Sequence, residues 1–374
     1  MTPGVTVVVP ARDEERDLAR CLAAVTRQRW PAGPIEVVVV ENGSRDRTRA
    51  IAKAWAARDP RVRVVVSDAP NQAAAMTAGL AAARAPIVAR VDAHGYVADD
   101  YLAEVAAAFA RHPDAAAVGG PFLPAGETLR ERVAGLARSS RFGVGGGYGS
   151  DRAAGDHAVD TVQCGAYRRV ALEAVGGFDA AMAYGEDEEL NWRLVRSGRR
   201  IVLCPALHQH YRPRGTLAAL ARQYWHYGRG RLRVLRKHPD FLRLRHLAPS
   251  TLVVALVGLG ALAVVWTPAT WALAAVAGAW GVVLVAAGIA ACDGGWRERL
   301  LVPLATAAMH LGYGAGMLRE AANGLPRWRP RAAPPQGRAP GPAPRLSVVI
   351  CTKDRPKPLA RCLAALARQT APRG

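Results

Sequence analysis

Short apolar runs alternate with longer amphipathic stretches over the first third of the chain. Residues 5–9, 35–40, 62–66 and 87–91 are rich in Val and Ile, the pattern of strands covered on both faces. Between them, residues 11–25 place Leu18, Cys21, Leu22 and Val25 at helical spacing, and residues 47–57 and 72–83 read as further helices. Strand followed by helix, repeated, predicts a doubly wound, mostly parallel α/β sheet. Ligands of such sheets bind beyond the carboxyl ends of the strands, where this chain carries Pro10, Glu41 and Asp92.

The periodicity fades over residues 127–157, and the glycine-rich FGVGGGYGSDRAAGD predicts a mobile loop of the kind that covers sites. Regular pattern resumes in VDTVQCGAYRRVALEAVGGFD, in the helical GEDEELNWRL and in a strand over residues 200–204. Residues 215–246 mix leucines, Trp225 and many arginines, which predicts an interfacial amphipathic helix. Residues 247–266 and 269–291 carry no charge, and each is long enough to span a core of ~30 Å. With a turn at Thr267-Pro268 they predict a transmembrane hairpin over 247–291. A third apolar segment, 300–318, has arginines on both flanks. The tendency of basic flanks to stay cytoplasmic favours a re-entrant or in-plane placement over a third crossing.

Residues 326–344 are Pro- and Arg-rich, an extended linker. Beyond them LSVVICTKDRPKPLARCLAALARQTAPRG aligns without gaps on VTVVVPARDEERDLARCLAAVTRQRWPAG, with about half the positions identical. Residues 345–374 therefore read as the truncated start of a second copy of the opening domain, a strand and a helix that cannot bury their apolar faces alone.

Composition bounds the rest. A chain of 374 residues at 51% hydrophobic content can hold a large core. Its six cysteines show no metal-ligand or disulfide spacing, which suits small buried side chains in a reducing compartment. No signal peptide precedes the first strand, so the first domain, residues 1–214, is expected in the cytoplasm. The formal charge of +20 gathers beside the apolar segments and in the tail. That distribution points to anionic membrane lipid as partner and argues against nucleic acid.

Two acidic clusters carry the chemistry. VARVDAH places Asp92 and His94 at the end of a strand, where a carboxylate and an imidazole can share a divalent ion, Mn²⁺ or Mg²⁺. YGEDEELNWRL opens a helix with Glu186 and Asp187, where a carboxylate can serve as general base or merely favour the helix start. The ordered set VVVPARDEE, VVVVENGSRDRT, AAAMTAG, VARVDAH, GGFD and GEDEELNWRL resembles the family 2 glycosyltransferases of GT-A fold, closest to the membrane-anchored succinoglycan-biosynthesis type.

The resemblance implies a nucleotide-sugar site at Pro10, Arg12, Glu14, Glu41 and Asp92, with Asp46 nearby. It implies metal ligands at Asp92 and His94, with His210 (or His208) as a third. It also implies a catalytic base at Asp187, and an acceptor side at Gly177, Phe178, Asp179 and Glu186. Glu41 stands where the family more often has Asp, and Thr77 where it has Asn. The implied activity is inverting, metal-dependent sugar transfer from a UDP- or GDP-sugar to a lipid-linked or polysaccharide acceptor, at the inner face of the plasma membrane. A non-catalytic membrane scaffold is the alternative from another class. A nucleotidyltransferase would need a glycine-rich phosphate grip after the first strand, where this chain is acidic.

Overall fold

The computed structural model describes residues 4–144, 155–291 and 294–324, all within one compact unit, Met1–Arg331. The centre of the glycine-rich segment, the Pro/Arg-rich linker and the repeated opening motif lie outside the described residues.

Strands β1 (Val5–Ala11), β2 (Ile35–Glu41), β3 (Val62–Val66) and β4 (Ile87–Arg90) run parallel. Helices α1 (Leu18–Thr26), α2 (Thr48–Arg58) and α3 (Gln72–Ala82) connect them. The chain then forms β5 (Gly95–Val97), α4 (Tyr101–Arg111), β6 (Ala115–Gly119), β7 (Phe122–Pro124), α5 (Leu129–Ser139) and α6 (Arg141–Val144). After the glycine-rich segment come β8 (His157–Ala158), β9 (Ala166–Arg168), α7 (Arg169–Ala174), α8 (Glu186–Arg196), β10 (Arg200–Leu203) and β11 (Gln209–Tyr211).

The large sheet has the order β3-β2-β1-β4-β9-β6-β10-β8, and β5-β11-β7 make a small second sheet. The large sheet is mostly parallel, as the alternation predicts. Its exceptions are β9, antiparallel to both β4 and β6, and the edge strand β8.

Both faces of the large sheet are covered, which is why β1 and β2 are buried at every residue. Val7, Val9, Val37 and Val39 pack against Leu18, Leu22, Tyr101 and Val105 from α1 and α4. Val8, Val38 and Val40 pack on the other side against Met76, Leu172, Leu190 and Leu194 from α3, α7 and α8. Gly79 lets α3 approach closely, since a Cβ there would run into Val8 and Val40.

One predicted helix begins late. Residues 12–17 form bends and turns, and α1 starts only at Leu18. The acids of ARDEE bond across to the loop after β2 instead of entering a helix. Arg45 N–H donates to Asp13 Oδ1 (2.8 Å), Glu14 N–H to Thr48 Oγ1 (2.7 Å) and Glu15 N–H to Asp46 Oδ2 (3.0 Å). Asp13 takes a left-handed φ of 55° to make this possible.

The C-terminal part is helical: α9 (Leu217–Lys237), α10 (Leu244–Ala263), α11 (Thr267–Ala290) and α12 (Trp296–Ala321). The last three are each long and apolar enough to cross a membrane. Thr267 and Pro268 are not the hairpin turn but the first residues of α11, because a proline whose missing N–H has no partner anyway fits a helix start. Residues 300–318 lie inside one uninterrupted helix, so the re-entrant form is not the one adopted.

Candidate active site

Four side chains meet beyond the carboxyl end of β4, and the residue that joins them was not among the expected ones. Arg90, the last residue of β4, is 3% exposed. Its Nε donates to Asp92 Oδ1 (2.8 Å) and its Nη2 to Asp92 Oδ2 (3.3 Å). Its Nη1 reaches across to α8, donating to Glu186 Oε1 (3.1 Å) and Asp187 Oδ1 (2.6 Å). One guanidinium therefore holds Asp92 and Asp187 together, two carboxylates ninety-five positions apart in the chain. Buried charges persist only when paired and hydrogen-bonded, and this cation has three anions. The costly arginine at the end of an apolar strand was the signal that sequence reading passed over.

The start of α8 aims these acids. Gly185 occupies the residue before the helix at φ 80°, a left-handed geometry suited to glycine, and no side chain caps the helix. Glu186 and Asp187 thus turn to Arg90 instead of capping. Burial pushes the Asp187 carboxyl up from 3.8 to about 7. Arg90 opposes that rise, while the negative charges of Glu186 and Asp92 add to it. The Cys164 backbone N–H also donates to Asp187, presented by a left-handed φ of 49°. Asp92 behaves oppositely: burial would raise its pKa, but Arg90 and His94 hold it below the usual value, so it stays ionised.

On the other side of Asp92, His94 Nδ1 lies 2.9 Å from Glu14 Oε1. Burial disfavours the His94 cation, yet the hydrogen bond and charge of Glu14, with Asp92, raise its pKa overall. Glu14, which the resemblance puts at the nucleotide-sugar site, is thus the partner of the His94 imidazole. A carboxylate on one ring nitrogen fixes the ring and leaves Nε2 to face a metal, the usual second contact of a metal-binding histidine. Asp92 accepts one bond from Arg90 on each oxygen, another from Gln72 Nε2 (3.3 Å) and one from the Cys164 thiol, so a cation there would have to displace one of the weaker donors. Asp92 and His94 are the carboxylate and imidazole that would hold a divalent ion here.

His210 does not join them. It lies in β11 with its ring stacked on Tyr96 (5.3 Å), and His208 meets it edge-on. Among the described residues, the three potential ligands gathered within 4.8 Å of one another are His112, Asp156 and Cys204, and there Arg111 already supplies the cation to Asp156 (2.9 Å).

At the ends of β1 and β2, Pro10 is buried and Arg12 exposed. Glu41 is fully buried and turned inward, accepting from Ser44 N–H (2.7 Å) and Arg49 Nε (2.6 Å). Both oxygens are thus engaged by protein, so Glu41 shapes the loop and does not present itself to a base. Asp46 likewise holds Thr48 and Glu15. The next residue, Asn42, is 5% exposed and its Oδ1 has no hydrogen-bond partner. A buried carbonyl oxygen left unpaired is an acceptor waiting for a donor.

The GGFD turn lies against α8 and α9. Phe178 is 4% exposed and packs edge-on against Tyr167, so it is core. Asp179 pairs with Lys237 (2.6 Å), and Gly177 O accepts from Arg193 (2.7 Å). These residues line an open cavity of about 330 Å³ that includes neither Asp92 nor Asp187. Their effect is to brace α8. Thr77, with its hydroxyl between Ala73 O and Phe178 O, does the same.

Comparison with known proteins adds the following. The family model described as Glycosyl transferase family 2 matches residues 6–176. The succinoglycan biosynthesis protein ExoA of Rhizobium meliloti is 31% identical over 320 residues, covering 84% of this chain and 94% of that protein. A Methanococcus voltae dolichyl N-acetyl-α-D-glucosaminyl phosphate diacetamido-dideoxy-glucuronosyltransferase is 22% identical over 62% of this chain and 74% of its own length. Among solved structures, the mannosyltransferase PcManGT of Pyrobaculum calidifontis, in complex with GDP-Man and Mn²⁺, superposes with a TM-score of 0.54 at 23% identity, covering 86% of this chain and 88% of that one.

Proposed function

The chain belongs to glycosyl transferase family 2, and from that premise we propose that it moves one sugar, with inversion, from a nucleotide-sugar donor to a lipid-linked or polysaccharide acceptor. The setting is exopolysaccharide synthesis, and the catalytic domain works at the cytoplasmic face of the inner membrane. The observation that carries the reading is the set of four hydrogen bonds from Arg90, which fastens Asp92 and Asp187 to opposite sides of one guanidinium.

Asp187 is the general base: it takes the proton of the acceptor hydroxyl as that oxygen attacks the anomeric carbon. A carboxylate near pKa 7 is a stronger base than an ordinary one and is still substantially ionised at neutral pH. Asp92 and His94 hold the divalent ion, Mn²⁺ or Mg²⁺, which when bound neutralises charge on the departing diphosphate. Glu14 keeps the His94 ring turned for that purpose. The nucleoside lies across the ends of β1 and β2, beside Pro10 and Arg12. There the unpaired Asn42 Oδ1 accepts a ring N–H, which uracil and guanine both offer.

The acceptor arrives from the membrane side. Gly230 of α9 packs against Tyr184 and Gly185 at the head of α8, and Arg231 bonds Glu188 (2.5 Å). The basic amphipathic helix is thus built into the mount of the base. Helices α10 and α11 anchor the protein, with Val257, Trp271, Val282 and Ile289 facing outward. The test is Asp187→Asn, which should lower turnover by roughly 10²–10⁴ while leaving nucleotide-sugar binding intact. Undiminished turnover would remove Asp187 as the base.

A further inference from the structure

Three helices have the length and composition to cross a bilayer, but the third is tied at both ends to the catalytic domain. Near its start, Glu298 Oε1 accepts from Arg132 Nε of α5 (3.0 Å). Near its end Glu320, 3% exposed, accepts from Arg229 (3.0 Å), Arg233 (3.1 Å) and Arg236 (2.8 Å) of α9. Glu298 and Glu320 are about 33 Å apart along a straight helix. A helix crossing a core of ~30 Å would put those two ion pairs in water on opposite faces, and the catalytic domain would have to straddle the membrane.

Between its ends α12 is sealed against the same domain. Gly312 and Gly316 let its backbone lie on Ala221 and Trp225 of α9, and Gly228 returns the contact at Tyr313. His310 Nε2 bonds Phe142 O of α6 (2.7 Å). The basic α9 cannot enter hydrocarbon, so a helix packed along it stays at its depth.

The face of α12 turned away from the domain is apolar. Trp296, Leu300, Leu304 and Leu311 are 68%, 68%, 54% and 38% exposed, at spacings that keep them on one side of the helix. Val302, Ala305, Thr306 and Met309 are buried on the opposite side. Helices α10 and α11, which also expose apolar residues, pack beside α12 at Pro249, Val253, Gly288 and Pro303.

We propose that α12 lies in the plane of the membrane, its Trp296–Leu311 stripe sunk into the boundary between headgroups and acyl chains, and that only the α10–α11 hairpin crosses. The chain then leaves Gly324 on the same side as the catalytic domain. The inference rests on the anchoring proposed above, and the experiment separates the two.

Single cysteines would be placed in the full-length chain at Lys53 in α2, Thr267 at the hairpin tip, and Asn323 after α12, all exposed. Each is labelled with a membrane-impermeant maleimide in right-side-out and inverted vesicles, against the unsubstituted chain. The expected result is that Asn323→Cys labels together with Lys53→Cys, and Thr267→Cys from the other side. Labelling of Asn323→Cys together with Thr267→Cys would mean α12 crosses, and would overturn the inference. If Thr267→Cys instead labels with Lys53→Cys, the hairpin does not cross, the anchoring fails and the inference fails with it.

A second measurement does not depend on sidedness. Nitroxides at Leu300→Cys and Leu311→Cys should report the same shallow depth, about 5–10 Å. A crossing helix would separate them by up to about 16 Å along the membrane normal, and that separation would refute the in-plane placement.

Discussion

Replacing Arg90 by methionine removes the central cation while keeping most of the side chain's bulk. It leaves Asp92, Glu186 and Asp187, with side chains only 9%, 10% and 14% exposed, facing one another without a counter-charge. Breaking a buried ion pair from one side costs about 3–5 kcal/mol. For a domain of this size that is on the order of 10 °C in melting temperature.

The loss should depend on pH, and the sign follows from Asp187. Its pKa is already raised to about 7, with Arg90 working against the rise, so removal of Arg90 drives it higher. A carboxyl whose native pKa exceeds its unfolded value favours the fold when protonated, and this contribution is lost as pH rises through the native pKa. The variant's deficit should therefore be largest near pH 8 and should shrink near pH 5.5, where Asp187 is protonated and the repulsion falls. Thermal unfolding in detergent, parent against variant at the two pH values, gives the answer. An equal deficit at both would mean that Arg90 only fills space. No deficit at either would mean that the acids do not share it.

The parent enzyme's kcat/KM should fall on the acid side with an apparent pKa near 7, close to tenfold per pH unit below it, as Asp187 takes up its proton. A profile flat down to pH 5 would contradict that. Chelation of divalent ions should abolish transfer, and Glu14→Gln should weaken Mn²⁺ binding by about 10–100-fold by freeing the His94 ring. Unchanged Mn²⁺ affinity in that variant would detach Glu14 from the metal site. Gly316→Leu should wedge α12 from Trp225 of α9 and cost about 1–3 kcal/mol, whereas Gly258→Leu, with no atom within 4 Å to oppose its Cβ, should cost little. Equal effects would refute the close packing of the two helices.

The parallel core was legible because strands buried on both faces cannot hide their composition, and β1, β2 and β4 fall where the Val- and Ile-rich runs lie. The late start of α1 was not legible. ARDEER has the composition of a helix start, and only the folded chain brings Ser44, Asp46 and Thr48 within reach of it. The same limit hid the inward turn of Glu41, whose partner Arg49 stands eight residues on and could equally have faced water.

Arg90 was more accessible than it looked. A cation closing an apolar strand must have an anion nearby, and the two acidic clusters were already in view. Phe178, which its place in GGFD puts on the acceptor side, is buried against Tyr167, a contact that the sequence does not show. The two-ended tether of α12 could not be read at all, since neither Glu298 nor Glu320 is close in sequence to the arginines it meets.

The most direct measurement is a structure of the Asp187→Asn chain with intact nucleotide sugar and Mn²⁺. The diphosphate should sit at Asp92 and His94, with the anomeric carbon turned toward position 187 and room for one acceptor oxygen between them. A donor bound elsewhere, or a sugar turned away from α8 with Arg90 still closing the gap, would contradict the account.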